Sequence, residues 1–275
     1  MKKIFALMMA SALLVCSLAS CAGSLGDPDA IGNYTPEVDY IVTEQGTFTF
    51  EEADGNTAVL VKYVGKATRD DHVVIPSEFN GRKVAVIGNE AFYNLAAVVA
   101  VTIPDSVTTI GKYAFAGCTE LTEVTLPAGT LEVDDYAFAG CTKLATINFG
   151  SALTDIGDKA FWNCEALANA ALPATLETIG DGAFWNCTAI TEVTMPAALK
   201  TIGTLAYYNC TGITSIKLHD GIEKIGEYAF VTDGSTLKDK IDASACATDG
   251  YVAKYVAEIA EPTPVEDVTE AETNA

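Results

Sequence analysis

One spacing restricts this chain more than any other feature. Cys118, Cys141, Cys164, Cys187 and Cys210 follow one another at intervals of 23 residues. An Ala-Phe pair keeps the same interval at Ala91-Phe92, Ala114-Phe115, Ala137-Phe138, Ala160-Phe161, Ala183-Phe184 and Ala229-Phe230, with Ala206-Tyr207 in the remaining place. An Ile-Gly step precedes each pair at 87–88, 110–111, 156–157, 179–180, 202–203 and 225–226, and Val133-Asp134 is the one departure. Seven copies without an insertion mark seven equal units of a stacked array. A coil of this length cannot bury an apolar face alone, so its neighbours must cover that face.

Each unit contains a short alternating stretch. Leu121, Val124 and Leu126 are apolar around Thr122, Glu123 and Thr125, and Pro127 follows. The pairs Val101/Ile103, Ile147/Phe149, Val193/Met195 and Ile216/Leu218 repeat the inward positions. Alternation this brief predicts one strand per unit. Strands that recur at one register pair in parallel. Proline closes the strand at Pro104, Pro127, Pro173 and Pro196, where a missing N–H does least harm. The Ile-Gly-x-x-Ala-Phe segment predicts a helical or 3₁₀ turn with Ala and Phe pointing inward. The expected fold is a repeat solenoid with one parallel strand and one short helical turn per repeat.

The motif Ile-Gly-x-x-Ala-Phe-x-x-Cys-x-x-Leu, followed by its strand and proline, resembles the leucine-rich repeats of BspA-like bacterial surface proteins. The resemblance covers seven repeats over 84–232 and implies a leucine-rich-repeat right-handed superhelix. Residues Val74 to Gly81 look like that family's lead-in to the first repeat, and the stretch from Asp249 to Val256 looks like its closing helical segment. The expected organisation is an N-terminal β cap over 39–83 and a C-terminal cap over 233–260. The cap at 39–83 is also read from alternation in Thr47-Phe48-Thr49-Phe50 and in Ala58 to Val64, separated by Asp54-Gly55-Asn56. Caps of this kind shield exposed strand edges and open cores at the ends of an array. Residues 261–275 hold Pro262, Pro264, five acids and no bases, which predicts a disordered acidic tail.

The first 20 residues read as an export signal, with Lys2 and Lys3 ahead of an apolar run from Ile4 to Val15. That run is too short to span a bilayer as a helix. Its end, Leu18-Ala19-Ser20-Cys21, resembles the lipobox of bacterial lipoproteins. That resemblance implies cleavage before Cys21, acylation of Cys21, and membrane anchoring through two or three acyl chains. The tether would be 21–38. The alternative is a plain secretory signal in which Cys21 is incidental. No later segment is long and apolar enough to be transmembrane. The expected location is the bacterial cell envelope, facing outward.

Function is constrained mainly by exclusion. Acids outnumber bases 37 to 16 in the chain and 16 to 6 within 84–232, so a nucleic-acid backbone would be repelled. A protein or a neutral glycan suits this charge better. His72 and His219 are the only histidines, and neither lies at a triad-like spacing. His219 takes a proline slot and reads as a turn residue. The cysteine column tempts a disulfide or metal reading, with thiols about 4.8 Å apart along a sheet. In-register side chains point the same way, however, which suits neither a disulfide torsion nor four zinc ligands converging on a point. The column reads as small buried hydrophobes, and Cys246 lies off it, free or paired. No cofactor and no metal are expected.

The outward strand positions are small and polar, without the aromatic or Arg anchors of a binding hot spot. The position after each Phe differs. It reads Tyr93, Ala116, Ala139, Trp162, Trp185, Tyr208 and Val231, so both tryptophans fall in one column. Trp162, Trp185 and Tyr208 either form an exposed stripe able to stack on sugars or anchor a protein, or pack flat against adjacent repeats. BspA-like proteins act in adhesion to host matrix proteins or to other bacteria, and the resemblance implies that role here. The expectation is a non-catalytic, monomeric, lipid-anchored binding protein. The alternatives are a glycan-binding lipoprotein that uses the aromatic stripe, a structural envelope protein without a dedicated ligand, and an enzyme.

Overall fold

The structure is a computed structural model describing residues 14–15, 39–65, 72–168, 170–232, 235–248 and 250–259. The expected leader (apart from Leu14 and Val15), Cys21 with its tether, and the acidic tail all lie outside the described residues. Four strands open the fold: β1 (Leu14–Val15), β2 (Asp39–Val42), β3 (Gly46–Ala53) and β4 (Thr57–Gly65), each antiparallel to the next. From β4 onward the pairing turns parallel. Arg82–Ile87 runs alongside β4, and Thr109–Ile110, Glu132–Val133, Asp155–Ile156, Thr178–Ile179, Thr201–Ile202 and Lys224–Ile225 follow rung by rung. With Glu78–Phe79 paired antiparallel to Arg82–Ile87 off the main path, this makes one sheet of 12 strands among the described residues.

A second parallel ladder is built from the alternating stretches. Val73–Val74 pairs with Val101–Thr102, Glu123–Thr125 with Thr146–Asn148, and Glu192–Thr194 with Ser215–Lys217, which in turn pairs with Ile241–Asp242. The family fold is the expected one, with a second short strand per repeat at the Ile-Gly step. The Ala-Phe segment also departs in detail from a continuous helical turn. Ala114 N–H donates to Gly111 O and Cys118 N–H to Phe115 O, as in 3₁₀ turns. Yet Tyr113 (φ 54°) and Gly117 (φ 74°) are left-handed, and a right-handed helix cannot pass through them. At the C-terminal end the helix α1 (Tyr251–Glu258) places Val252 in the core.

The core is a column of rings. Phe92, Phe115, Phe138, Phe161, Phe184, Tyr207 and Phe230 are all buried. Phe138 and Phe161 are 5.3 Å apart and nearly coplanar in orientation, as are Phe161 and Phe184. The column continues into the N-terminal strands through Tyr63, 5.1 Å from Phe92, and Phe48, 4.7 Å from Tyr63. Offset parallel rings at this spacing add dispersion to the burial of each face. The Ile-Gly step explains how repeats come so close. A Cβ on Gly180 would lie 2.6 Å from the carbonyl carbon of Gly157 and 2.7 Å from the backbone nitrogen of Asp158, so at this rung glycine allows an approach that a side chain would obstruct.

Phe161→Ala removes a ring covered on both sides, and we expect a loss of about 3–5 kcal/mol in unfolding free energy by denaturant titration. Gly180→Ala forces neighbouring backbones apart and should destabilise by about 1–3 kcal/mol in the same measurement.

Candidate binding surface

The face that carries the aromatic column is shaped by left-handed residues. Asn94, Gly117, Gly140, Asn163, Asn186 and Asn209 form one column, all with positive φ. Glycine and asparagine are the residues that enter this region at least penalty. The column is readable in the sequence as Asn or Gly immediately before each repeat Cys, with Asn94 before Leu95 at its head. The asparagines also bond along the stack. Asn186 Nδ2 donates to Asn163 Oδ1 at 2.7 Å, and Asn209 Nδ2 donates to Asn186 Oδ1 at 2.8 Å.

Trp162, Trp185 and Tyr208 stand immediately before these asparagines, and all three are half-buried. Trp185 and Tyr208 meet edge to face at 5.3 Å. Trp185 also lies over Gly182, where an added Cβ would sit 3.5 Å from its ring. The Trp162 indole nitrogen is buried without a hydrogen-bond partner among the described residues. Tyr93, at the head of the same column, is 47% exposed and is the freest of these rings. A second aromatic row lies beside it, where Tyr113 stacks on Tyr136 at 4.7 Å and Lys159 Nζ stands 5.3 Å from the Tyr136 ring.

The strand face is polar. Thr102, Glu123, Thr125, Asn148, Glu192, Thr194 and Lys217 are exposed along it. Asn148 Nδ2 donates to Thr125 Oγ1 at 3.2 Å, so its polar groups partly satisfy one another. Near its start a cleft of about 500 Å³ is lined by His72, Thr102, Asp105, Glu123 and Thr125 among others. His72 Nε2 lies 2.7 Å from Thr102 Oγ1 there. His219 Nδ1 accepts the Gly221 N–H at 3.0 Å, the geometry of a turn residue. Ion pairs join neighbouring repeats on the outside, Lys112 with the half-buried Asp135 and Lys200 with Glu177.

The five repeat cysteines are buried and unpaired. Each thiol donates to the carbonyl of a Phe in the preceding repeat, from Cys118 to Phe92 at 3.2 Å through Cys210 to Phe184 at 3.0 Å. Burial pushes the Cys118 and Cys210 thiols up to about 12, and raises Cys141, Cys164 and Cys187 as well. Burial also raises Cys246, followed by its neighbour Asp220, although Cys246 is more open.

Known proteins share this arrangement. A model of the BspA type leucine-rich repeat region matches residues 85–211 and 113–238 in 6 copies, together more than half of the chain. A leucine-rich repeat protein of T. pallidum superposes with a TM-score of 0.60 and 31% identity, covering 65% of this chain and 83% of its own. A leucine-rich repeat protein from Bacteroides ovatus gives a TM-score of 0.57 at 22% identity, covering 73% of this chain and 56% of its own, a likeness of fold. No curated protein matches the chain.

The thiol column generates two expectations. In folded protein at pH 8, residue-mapped alkylation should label Cys246 ahead of the five repeat cysteines, which should react only after unfolding. Because the repeat thiols ionise more readily when unfolded than when buried, the folded state binds more protons above about pH 9. Stability should therefore fall as pH rises from 9 towards 12, by about 1.4 kcal/mol per pH unit for each thiol. A flat alkaline stability curve would refute the burial assignment.

Proposed function

The chain belongs to the BspA-type leucine-rich repeat family, and from that membership we propose that it is an exported, lipid-anchored, non-catalytic protein of the bacterial cell envelope that binds host matrix proteins or other surface proteins. The observation that carries the reading is the strand face. In-register repeats hold Thr102, Glu123, Thr125 and Asn148 outward on one run of rungs and Glu192, Thr194 and Lys217 outward on another, giving polar surfaces of fixed spacing. Such a surface suits an extended protein partner, with specificity drawn from many small contacts. The acidic surplus makes partners with basic or neutral surfaces the better match.

Anchoring is assigned to Cys21, by the likeness of Leu18-Ala19-Ser20-Cys21 to a lipobox. Two acyl chains suffice for stable membrane attachment. A second reading places a neutral glycan against Trp162, Trp185 and Tyr208, and the edge-to-face Trp185–Tyr208 pair favours it as a preformed apolar wall.

In solid-phase binding to a panel of host matrix proteins, Thr125→Arg with Thr194→Arg should weaken attachment at least tenfold, while Trp162→Ala with Trp185→Ala should change it less than twofold. The reverse pattern, accompanied by loss of signal on a glycan array, would favour the glycan reading. Cys21→Ala should move the exported protein from the membrane fraction to the soluble one.

A further inference from the structure

The two ends of the long sheet are finished differently. At the C-terminal end the last rung, Lys224–Ile225, is closed. Ile225 N–H donates to Tyr251 Oη at 2.9 Å, and α1 places Val252 in the core. At the N-terminal end the strand seated on β2 is Leu14–Val15, antiparallel, with Leu14 opposite Val42 and Val15 opposite Ile41. Those two residues lie in the export signal that the sequence reads as removed before Cys21. Cleavage there takes β1 away and leaves β2 as the edge of the sheet.

The register of β2 decides which groups that edge offers. Thr43 N–H donates to Gly46 O at 2.8 Å, and the pairing continues through Ile41 with Phe48 and Asp39 with Phe50. In an antiparallel pair hydrogen-bonded residues alternate with non-bonded ones, so Asp39, Ile41 and Thr43 bond to β3. Tyr40 and Val42 therefore each direct an N–H and a C=O outward. Ile41 is buried, whereas Val42 is 44% exposed. Strand edges are ordinarily guarded by lysine, proline or a bulge, and Tyr40-Ile41-Val42 carries none of these.

We propose that β2, once β1 is removed, pairs antiparallel with β2 of a second copy of this chain on the same membrane. The proposal rests on the reading of residues 1–20 as a cleaved leader and of Cys21 as the anchor. A two-fold axis at Ile41 sets Tyr40 opposite Val42 of the second copy and Val42 opposite its Tyr40, so every outward group finds a partner. An aromatic ring beside a β-branched side chain is a favoured cross-strand pair. Asp39 falls opposite Thr43 rather than opposite the other Asp39, so no like charges meet across the strands. The anchor favours a second copy over a foreign strand. The tether 21–38 runs directly into β2 and reaches at most about 60 Å, so the edges of all anchored copies share one layer above the bilayer. An edge this short holds two free chains only weakly, and confinement to that layer raises their effective concentration.

A photoreactive p-benzoylphenylalanine in place of Tyr40, in the full chain produced by cells that export it, reads the contact directly. Irradiation of the membrane fraction should give a covalent dimer in which, by mass spectrometry, both chains begin at Cys21. Val42→Pro removes an outward N–H and no bond to β3, so it should lower the dimer yield at least tenfold with an unchanged melting temperature. The same photoreactive residue in place of the exposed Tyr93 should give no dimer. If Val42→Pro does not fold, the photoreactive residue at Val42 combined with Tyr40→Pro decides. Cleaved chains that give no dimer, that crosslink at this position to another protein, or that dimerise equally with Val42→Pro or from Tyr93 overturn the proposal alone. Chains that keep residues 1–20 overturn the leader reading and the proposal with it.

Discussion

Hydrogen bonding between backbones one repeat apart holds the molecule up. Phe115 N–H donates to Ala137 O at 2.7 Å, Phe138 N–H to Ala160 O at 2.8 Å and Phe161 N–H to Ala183 O at 2.8 Å, so each ring-bearing residue is tied to the repeat that follows. Such bonds exist only if every repeat has the same length, because one extra residue would displace every later donor from its acceptor. The constant register then imposes like upon like: ring on ring, amide on amide, threonine above threonine. Side-chain ladders are a consequence of that backbone register, and they reward it with dispersion and bonding that a single repeat could not obtain.

Register also explains why polar and reactive groups are quiet here. A cysteine directly above another cannot reach it in disulfide geometry, but it can reach the carbonyl of the ring-bearing residue in the preceding repeat. Thr130, fully buried, does the same with Val107 O at 3.3 Å. Surface ion pairs such as Lys143 with Glu120 follow the same spacing, but exposed pairs contribute about 0–1 kcal/mol each and do not hold the stack together. Strain is carried along too. Glu90, Tyr113, Tyr136, Lys159, Leu205 and Tyr228 all have positive φ without being glycine or asparagine, and the surrounding inter-repeat bonds keep them there.

Legibility in the sequence followed volume and period. The inward residues of each repeat were readable because burial selects apolar types at fixed places, and Leu121, Val124 and Cys118 are buried. The second strand was hidden, since two extended residues such as Thr178–Ile179 are too short to show alternation. The left-handed column at Tyr113 and Lys159 was hidden as well, because those residue types carry no sign of positive φ. Continuation of the ring column through Tyr63 into β4 and through Phe48 into β3 lay outside the repeat and had no period to betray it. For the surface, the column of Trp162, Trp185 and Tyr208 was visible, but its half-buried state depends on what each ring meets above and below.

An interval of 23 residues, carrying Ile-Gly, Ala-Phe and Cys at constant offsets, is sufficient to dictate a stacked array with parallel strands and a ring column. It does so because local pattern and nearest-neighbour burial are the same information in a one-dimensional fold. The half-buried state of Trp162, Trp185 and Tyr208 is of another kind. In the sequence they are three aromatic residues in one column, with nothing to say how far each is covered. Only packing in three dimensions decides that, because burial is a property of everything that surrounds a ring and of no residue alone.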